Sequence, residues 1–158
     1  MTPCPYTIER IMAVMETAFD PAYGEAWNLR QVTDALTLGS THALVVDGDG
    51  KPIPDGPDLA AIPAGFFLTR HVLDEEELLL IGVVPQFRQR GLGTMMIEHL
   101  FTMARTRGIT RVYLEMRRGN PAYNLYRKLG FEPIGERRKY YRMANGERVD
   151  AITFGRSI

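Results

Sequence analysis

A single cysteine in 158 residues, Cys4, excludes an intramolecular disulfide and leaves too few thiols for a cysteine-based metal centre. The three histidines, His42, His71 and His99, are scattered at separations unlike any zinc pattern, so no metal is expected. Net charge is missing too. Lysine plus arginine number 19 and aspartate plus glutamate 19, so no global field draws the chain to nucleic acid or to an anionic membrane. The longest apolar run, residues 78–85, is far too short to cross a bilayer. The opening MTPCPYTIERIM lacks the basic flank and apolar stretch of a signal peptide. A cytoplasmic address is expected, with no nucleic-acid or membrane partner. The hydrophobic share of 45% and charged share of 24% are those of a soluble globular protein. With no repeat or linker in view, residues 1–158 are expected to form one domain.

Ile8, Ile11, Met12, Met15 and Phe19 recur at helical spacing, and predict an amphipathic helix over 8–19, capped by Thr7 and stopped at Asp20-Pro21. Asn28 followed by Gln31 is a capping-box pattern for a second short helix. A strand is expected at 43–46. The Asp-, Gly- and Pro-rich segment 47–63 reads as a surface loop: its Asp-Gly-Asp-Gly start lacks the later ligands of a calcium loop and fits a hairpin connection. Strands follow at 65–72 and 77–84, joined by an acidic turn at 74–76. The second is apolar on both faces over 78–84, as a strand covered on two sides must be. A helix is predicted over 91–107, with Met95, Met96, Leu100 and Met103 inward and Gly108 as its stop. A strand at 112–116 and a helix opened by Asn120-Pro121 come next. Strands at 131–138 and 150–154, around a turn region at 140–148, complete an α/β fold with a mixed sheet.

The most informative stretch is Val84-Pro85-Gln86-Phe87-Arg88-Gln89-Arg90-Gly91-Leu92-Gly93-Thr94, between a buried strand and a long helix. Gly91 and Gly93 allow a tight turn and close approach of a ligand. The first helical turn offers unpaired N–H groups and a positive dipole end, and Arg88 and Arg90 add charge. Such a loop suits a phosphate or pyrophosphate. A nucleotide P-loop is excluded because no Gly-Lys-Ser/Thr follows, and the dinucleotide fingerprint because Met96 stands where a third glycine is needed. Alone, the loop could equally be an arginine-flanked helix start with no ligand.

The Val-x-Pro strand end followed by Arg88-x-x-Gly91-x-Gly93 resembles the coenzyme-A pyrophosphate loop of the GNAT acyltransferase superfamily. Asn120-Pro121-Ala122 and Leu125-Tyr126-Arg127-Lys128-Leu129-Gly130-Phe131 resemble its second conserved block. Asp74-Glu75-Glu76, Tyr113-Leu114-Glu115-Met116-Arg117, Arg137-Arg138-Lys139-Tyr140-Tyr141 and the segment 145–152 are similar to the RimI group, which acetylates the N-terminal amine of a ribosomal protein. The chain departs from that group in three places. Only six residues precede the first helix, leaving no room for the usual first strand. Asn120 and Tyr126 are six apart where the group has seven. The 47–63 loop is longer.

The resemblance implies a GNAT-like fold, acetyl-CoA as cosubstrate and an amine acceptor, most fittingly a protein N-terminus. It implies that Ile81, Gly82 and Val83 offer backbone groups to the pantetheine and thioester. It places Arg88, Gln89, Arg90, Gly91, Leu92, Gly93 and Thr94 around the pyrophosphate, with Asn120 also on the cofactor. It makes Glu115 the base, acting through water, and Tyr126 the acid for the leaving thiolate. Without it, Glu115 reads as the solvated face of an alternating strand and Tyr126 as a packing aromatic. Tyr140-Tyr141 among Arg137, Arg138, Lys139 and Arg142 is too short a patch for nucleic acid and reads as a peptide-gripping strand pair. An α-amine with pKa near 8 is roughly one-tenth neutral at pH 7, whereas a lysine amine demands about 3 kcal/mol more, so a single glutamate suits the α-amine better. A small-molecule amine acceptor and a non-catalytic acetyl-CoA-binding module are the alternatives.

Overall fold

The computed structural model describes residues 4–158. The expectation that no strand precedes the first helix falls partly on residues 1–3, outside the described residues. Helix α1, Pro5–Ala18, buries Ile8, Ile11, Val14, Met15 and Ala18. It starts two residues before the predicted cap, because Pro5 is preset for a first helical turn, where an N–H is not required. Thr7 is therefore inside the helix and not its cap. Its N–H and hydroxyl both donate to Asp55, at 2.9 and 3.1 Å. Asp20 caps a 3-10 turn, Pro21–Tyr23, by accepting from the Ala22 N–H. Helix α2, Leu29–Leu36, carries the predicted box: Asn28 Oδ1 accepts from Gln31 N and Gln31 Oε1 from Asn28 N, each at 2.8 Å.

Six strands form one mixed sheet: β1, Thr41–Val46; β2, Gly65–Val72; β3, Glu75–Val83; β4, Arg111–Arg117; β5, Glu132–Arg142; β6, Arg148–Ser157. Their spatial order is β1-β2-β3-β4-β6-β5. Every neighbouring pair is antiparallel except β3 and β4, which helix α3, Leu92–Thr106, connects in parallel. The short helix α4, Tyr123–Lys128, links β4 to β5. The order of elements is the predicted one, with two differences at hairpins. The β2–β3 turn is only Leu73-Asp74, with Leu73 at φ +55°, so Glu75 and Glu76 belong to the strand. Tyr140, Tyr141 and Arg142 extend β5, and the turn after it lies at 144–146.

Each face of the sheet has its own core. Phe67, Met96, Ile97, Leu100, Val112, Leu114, Phe131 and Phe154 pack under α3 and α4. Ile11, Val14, Val32, Val45, Phe66, Leu68 and Leu80 pack under α1 and α2. The inward stripe of α3 is Met96, Ile97, Leu100, Phe101 and Ala104. Met95 departs from the expectation: it is 40% exposed, because it lies off this stripe, against the turn at Gly50. The 47–63 loop is pinned to α1 by Arg10, whose guanidinium donates to the carbonyls of Pro54, Gly56 and Asp58 at 3.0, 2.7 and 3.2 Å. Its Asp-Gly-Asp-Gly start is a turn in which Asp47 Oδ1 accepts from Asp49 and Lys51 N–H.

At the end of the sheet opposite the α3 N-terminus, fully buried Glu76 pairs with Arg107, and beside them His42 Nε2 lies 2.7 Å from His71 Nδ1 with the rings stacked. Burial pushes the His42 imidazole below its ordinary value; Arg107 and His71 add to this and Glu76 opposes it. A histidine depressed in the fold favours its neutral form there. The unfolded chain therefore binds more protons as pH falls through about 6.5, and stability drops until the folded value is passed. Thermal unfolding between pH 7.5 and 5 should show this loss, and His42→Gln should flatten the histidine part of it. An unaltered pH slope in the variant would assign the loss elsewhere.

Candidate active site

Strands β2 and β3 slip register between Leu68 and Thr69, which face Leu80 and Leu78 and leave Leu79 as an extra residue in β3. This bulge turns both Leu79 and Leu80 toward the α1 core, after which Ile81 and Val83 return to the α3 side. The same point ends the pairing with β4: Leu78↔Leu114 is the last register pair among the described residues. Strand β4 continues along β6 as far as Arg117↔Ala151. The two central strands therefore part, and a cavity of about 450 Å³ opens between them. Residues 81–83 line it with a backbone edge that no longer pairs with β4, so unpaired donors are available there. Gly82 also keeps the end of α1 close, because a Cβ there would stand 3.0 Å from Ala18 Cβ and 3.1 Å from the Phe66 ring.

The loop after β3 forms a second, adjoining cavity of about 210 Å³, lined by Gln89, Gly91, Leu92, Gly93 and Thr94. Val83, Arg88, Gly93 and Leu125 line both. Gln89 at φ +61° and Gly91 at φ +80° curl the backbone into α3. The first helical bond runs from Met95 N to Gly91 O, so the N–H groups of Leu92, Gly93 and Thr94 lie in the unpartnered first turn. Leu92 can contribute backbone only, since its side chain is buried in the core. The two arginines differ from the expectation of free charge beside the loop. Arg88 donates to the carbonyls of Ala18 and Val83, at 2.5 and 3.2 Å, and thereby ties α1 to the end of β3. Arg90 lies over the Phe87 ring at 5.3 Å and lines neither cavity.

On the opposite wall, Leu114 and Met116 point into the α3 core, which directs Glu115 into the cleft. Its carboxylate is partly exposed, with Arg137 Nε at 3.7 Å. The apolar-polar alternation of β4 is thus real, and Glu115 and Arg117 of its polar face line the cleft. Tyr126 is 5% exposed, packs edge-on to Phe131 and also lines the cleft. Burial raises its phenol far above the ordinary range, with a further push from the charge of Glu25. Packing aromatic and cleft residue are one and the same here. Asn120 lines the cleft as well, but its Oδ1 accepts from Ala122 N at 2.9 Å. The cap is made in the turn before α4, which begins two residues later than predicted.

Four cleft-side residues were not singled out from the sequence as site residues by themselves. Tyr23 and Glu25 arrive on the connection between α1 and α2, and both line the cavity. Arg117 stands at the end of β4, with its guanidinium 3.5 Å from the Tyr23 ring centre and its Nε 3.5 Å from Glu25 Oε1. Tyr141, half-buried, is pushed up to about 12 by burial and then by the charges of Glu115 and Glu25. Arg117 closes the quoted Tyr113–Arg117 block and Tyr141 belongs to the Tyr140-Tyr141 pair, whereas Tyr23 and Glu25 carried no sequence signal. Among the described residues no group of three or more His, Cys, Asp and Glu is arranged to hold a metal ion, and no helix is long and apolar enough to cross a membrane.

The chain has relatives among known proteins. The chain is 47% identical over 90 residues to the ribosomal protein bS18-alanine N-acetyltransferase of Salmonella typhimurium, and 42% over 90 residues to that of Escherichia coli K12. Each match covers 56% of this chain and 60% of the relative, so the chain spans less than two thirds of these relatives' length. The crystal structure of the Escherichia coli ribosomal-protein-S18-alanine N-acetyltransferase superposes with a TM-score of 0.77 at 27% identity, covering 96% of this chain and 87% of that one. Arabidopsis thaliana NAA60 in complex with acetyl-CoA shares the fold at a TM-score of 0.73 and 20% identity, covering 98% and 94%. Residues 12–131, well over half of the chain, match the model of the acetyltransferase (GNAT) family, and the chain belongs to that family.

Proposed function

We propose that this protein is an acetyl-CoA-dependent N-acetyltransferase whose acceptor is the N-terminal α-amine of a protein, of the ribosomal alanine type that its relatives' names describe, and that it works in the cytoplasm as one domain over residues 1–158. The observation that carries this reading is the cleft between β3 and β4, which has phosphate-suited backbone at one end and Glu115 and Tyr126 on its far wall. The residues present fit acetyl-CoA. Gly93 leaves open a space that a side chain would narrow against Leu125, 3.0 Å from an added Cβ, and the first-turn N–H groups suit the pyrophosphate. The freed edge of residues 81–83 suits the pantetheine amides and the thioester oxygen.

Transfer forms a C–N bond and breaks the C–S bond of the thioester. The amine must lose a proton and the thiolate must gain one. Glu115, through water, takes the first; Tyr126 gives the second. Burial holds Tyr126 as neutral phenol, the donor form, at every physiological pH. It also makes the phenol a weaker acid, so the proton moves only when the thiolate, desolvated in the same cleft, has become strongly basic. Asn120, whose oxygen is engaged, retains its amide N–H groups for the cofactor.

Four variants test these assignments. Gly93→Val should raise the dissociation constant for acetyl-CoA at least about tenfold, near 1.4 kcal/mol, and Gly91→Val should do so through strain at its positive φ. Tyr126→Phe should lower kcat by about 10²–10⁴ with little change in acetyl-CoA affinity. Glu115→Gln should lower kcat on an alanine-led peptide, with part of the rate returning above about pH 8 as the amine deprotonates itself. Mass spectrometry should find the acetyl group on the peptide's N-terminus and not on an internal lysine. Small diamines acetylated far faster than any peptide would transfer the enzyme to the small-molecule class, and absence of any thiol release would make it a binding module.

A further inference from the structure

At pH 7 an α-amine with pKa near 8 arrives roughly nine-tenths protonated, so the acceptor docks as a cation before it can react as a nucleophile. The cleft needs a place for that charge distinct from the base that later removes the proton. Three carboxylates line the cavity: Asp20, Glu25 and Glu115. Asp20 is committed to the 3-10 turn through its bond from Ala22 N. Glu115 faces the reaction from β4. Glu25 comes from the irregular segment after Gly24 and, among the described residues, is anchored only by Arg117.

Arg117 has an 11% exposed side chain, places its guanidinium 3.5 Å from the Tyr23 ring centre and keeps its Nε 3.5 Å from Glu25 Oε1. The same Nε is buried with no hydrogen-bond partner, so the pair is an ion contact whose geometry leaves Glu25 free to accept from another donor. Residues 115 and 117 share one face of β4, about 7 Å apart along the strand. Held at Arg117, Glu25 lines the same cavity as Glu115. The charge of Glu25 reaches the phenol of Tyr126 from α4 and, with Glu115, that of Tyr141 from β5. Glu25, Glu115 and Tyr126 thus share one cavity, the place where the amine and the thioester must meet.

We infer that Glu25 is the acceptor-binding carboxylate, which receives the protonated N-terminal amine, and that Arg117 is its positioning residue, fixed in turn by Tyr23. The inference rests on the proposed amine-acetylating function and divides labour within that site: Glu25 holds the ammonium and Glu115 takes its proton. The acceptor must then carry a cationic amine at its very end. A peptide with the same sequence but no terminal amine should lose its principal contact.

The test compares binding of an alanine-led peptide with that of its des-amino analogue, by calorimetry on the full chain in the presence of coenzyme A. The wild type should favour the amine-bearing peptide by about tenfold, as a charge-assisted hydrogen bond warrants. In Glu25→Gln the ratio should fall toward one while acetyl-CoA affinity stays unchanged, which also shows that the variant is folded. In Glu115→Gln the ratio should persist. In steady-state kinetics Glu25→Gln should raise KM for the peptide more than it lowers kcat, the reverse of Glu115→Gln. Arg117→Met should lose part of the preference and Arg117→Lys should recover some of it. A Glu25→Gln enzyme that keeps the full preference overturns the inference while leaving the acetyltransferase reading intact. A wild type that acetylates no peptide overturns both, and an Arg117→Met enzyme with full preference overturns the role of Arg117.

Discussion

Strands β3 and β4 are hydrogen-bonded neighbours from Glu75 to Leu78 and separate beyond it. A parallel pair in the middle of a sheet has strong reason to stay paired, because each broken ladder bond exposes a buried N–H or C=O. Here the extra residue at Leu79 forces the parting by bending β3 where the contact with β4 stops, while β4 keeps its partner on the other side. The cleft, the freed backbone edge and the aim of the following loop all depend on that one irregularity. The loop cavity adjoins the cleft because the same strand that bends away delivers Val84 and the turn into α3.

Three arginines stabilise this arrangement, each as a tether. Arg10 gathers three carbonyls of the long loop onto α1; Arg88 joins the last carbonyl of α1 to that of β3; Arg117 fastens the connection after α1 to the end of β4. A guanidinium offers five donors in a planar fork and a face that stacks on aromatics, so one side chain can fix two segments of irregular backbone. Two of the three tethers hold the C-terminal end of α1 and the segment after it, which form the near wall of the cleft. Arg88, which in sequence flanks the phosphate loop, is thus better understood as part of the scaffold that gives the loop its shape.

Electrostatics within the cleft are set by burial more than by net charge, which is zero for the chain. Tyr126 and Tyr141 are both raised first by loss of water and only then by the carboxylates. Glu25 and Glu115 line the same cleft as the buried phenol of Tyr126, an arrangement that suits a cationic amine and a proton donor in one cavity.

The sequence by itself determined the succession of elements, the two-faced central strand and the loop at residues 88–94, because each is written in local pattern: a period of two or of 3.6, a cap, a glycine spacing; Glu115 and Tyr126 were marked only by the family resemblance, since their local pattern reads as a solvated strand face and a packing aromatic. It also determined the capping box of α2, whose partners are three residues apart. Tertiary structure alone decided what depends on distant segments meeting. Thr7 bonds to Asp55 across the fold and so is no cap, Met95 is turned out against the Gly50 turn, and Arg88 is drawn to Ala18, seventy residues away. Glu25 and Arg117 illustrate the limit most plainly. Glu25 stands in no pattern and Arg117 only at the end of the Tyr113–Arg117 block, with no role of its own there, and they become a pair only when the sheet brings the end of β4 under the connection between α1 and α2. Periodicity reports which way a side chain points; it carries no record of which distant backbone will be there to receive it.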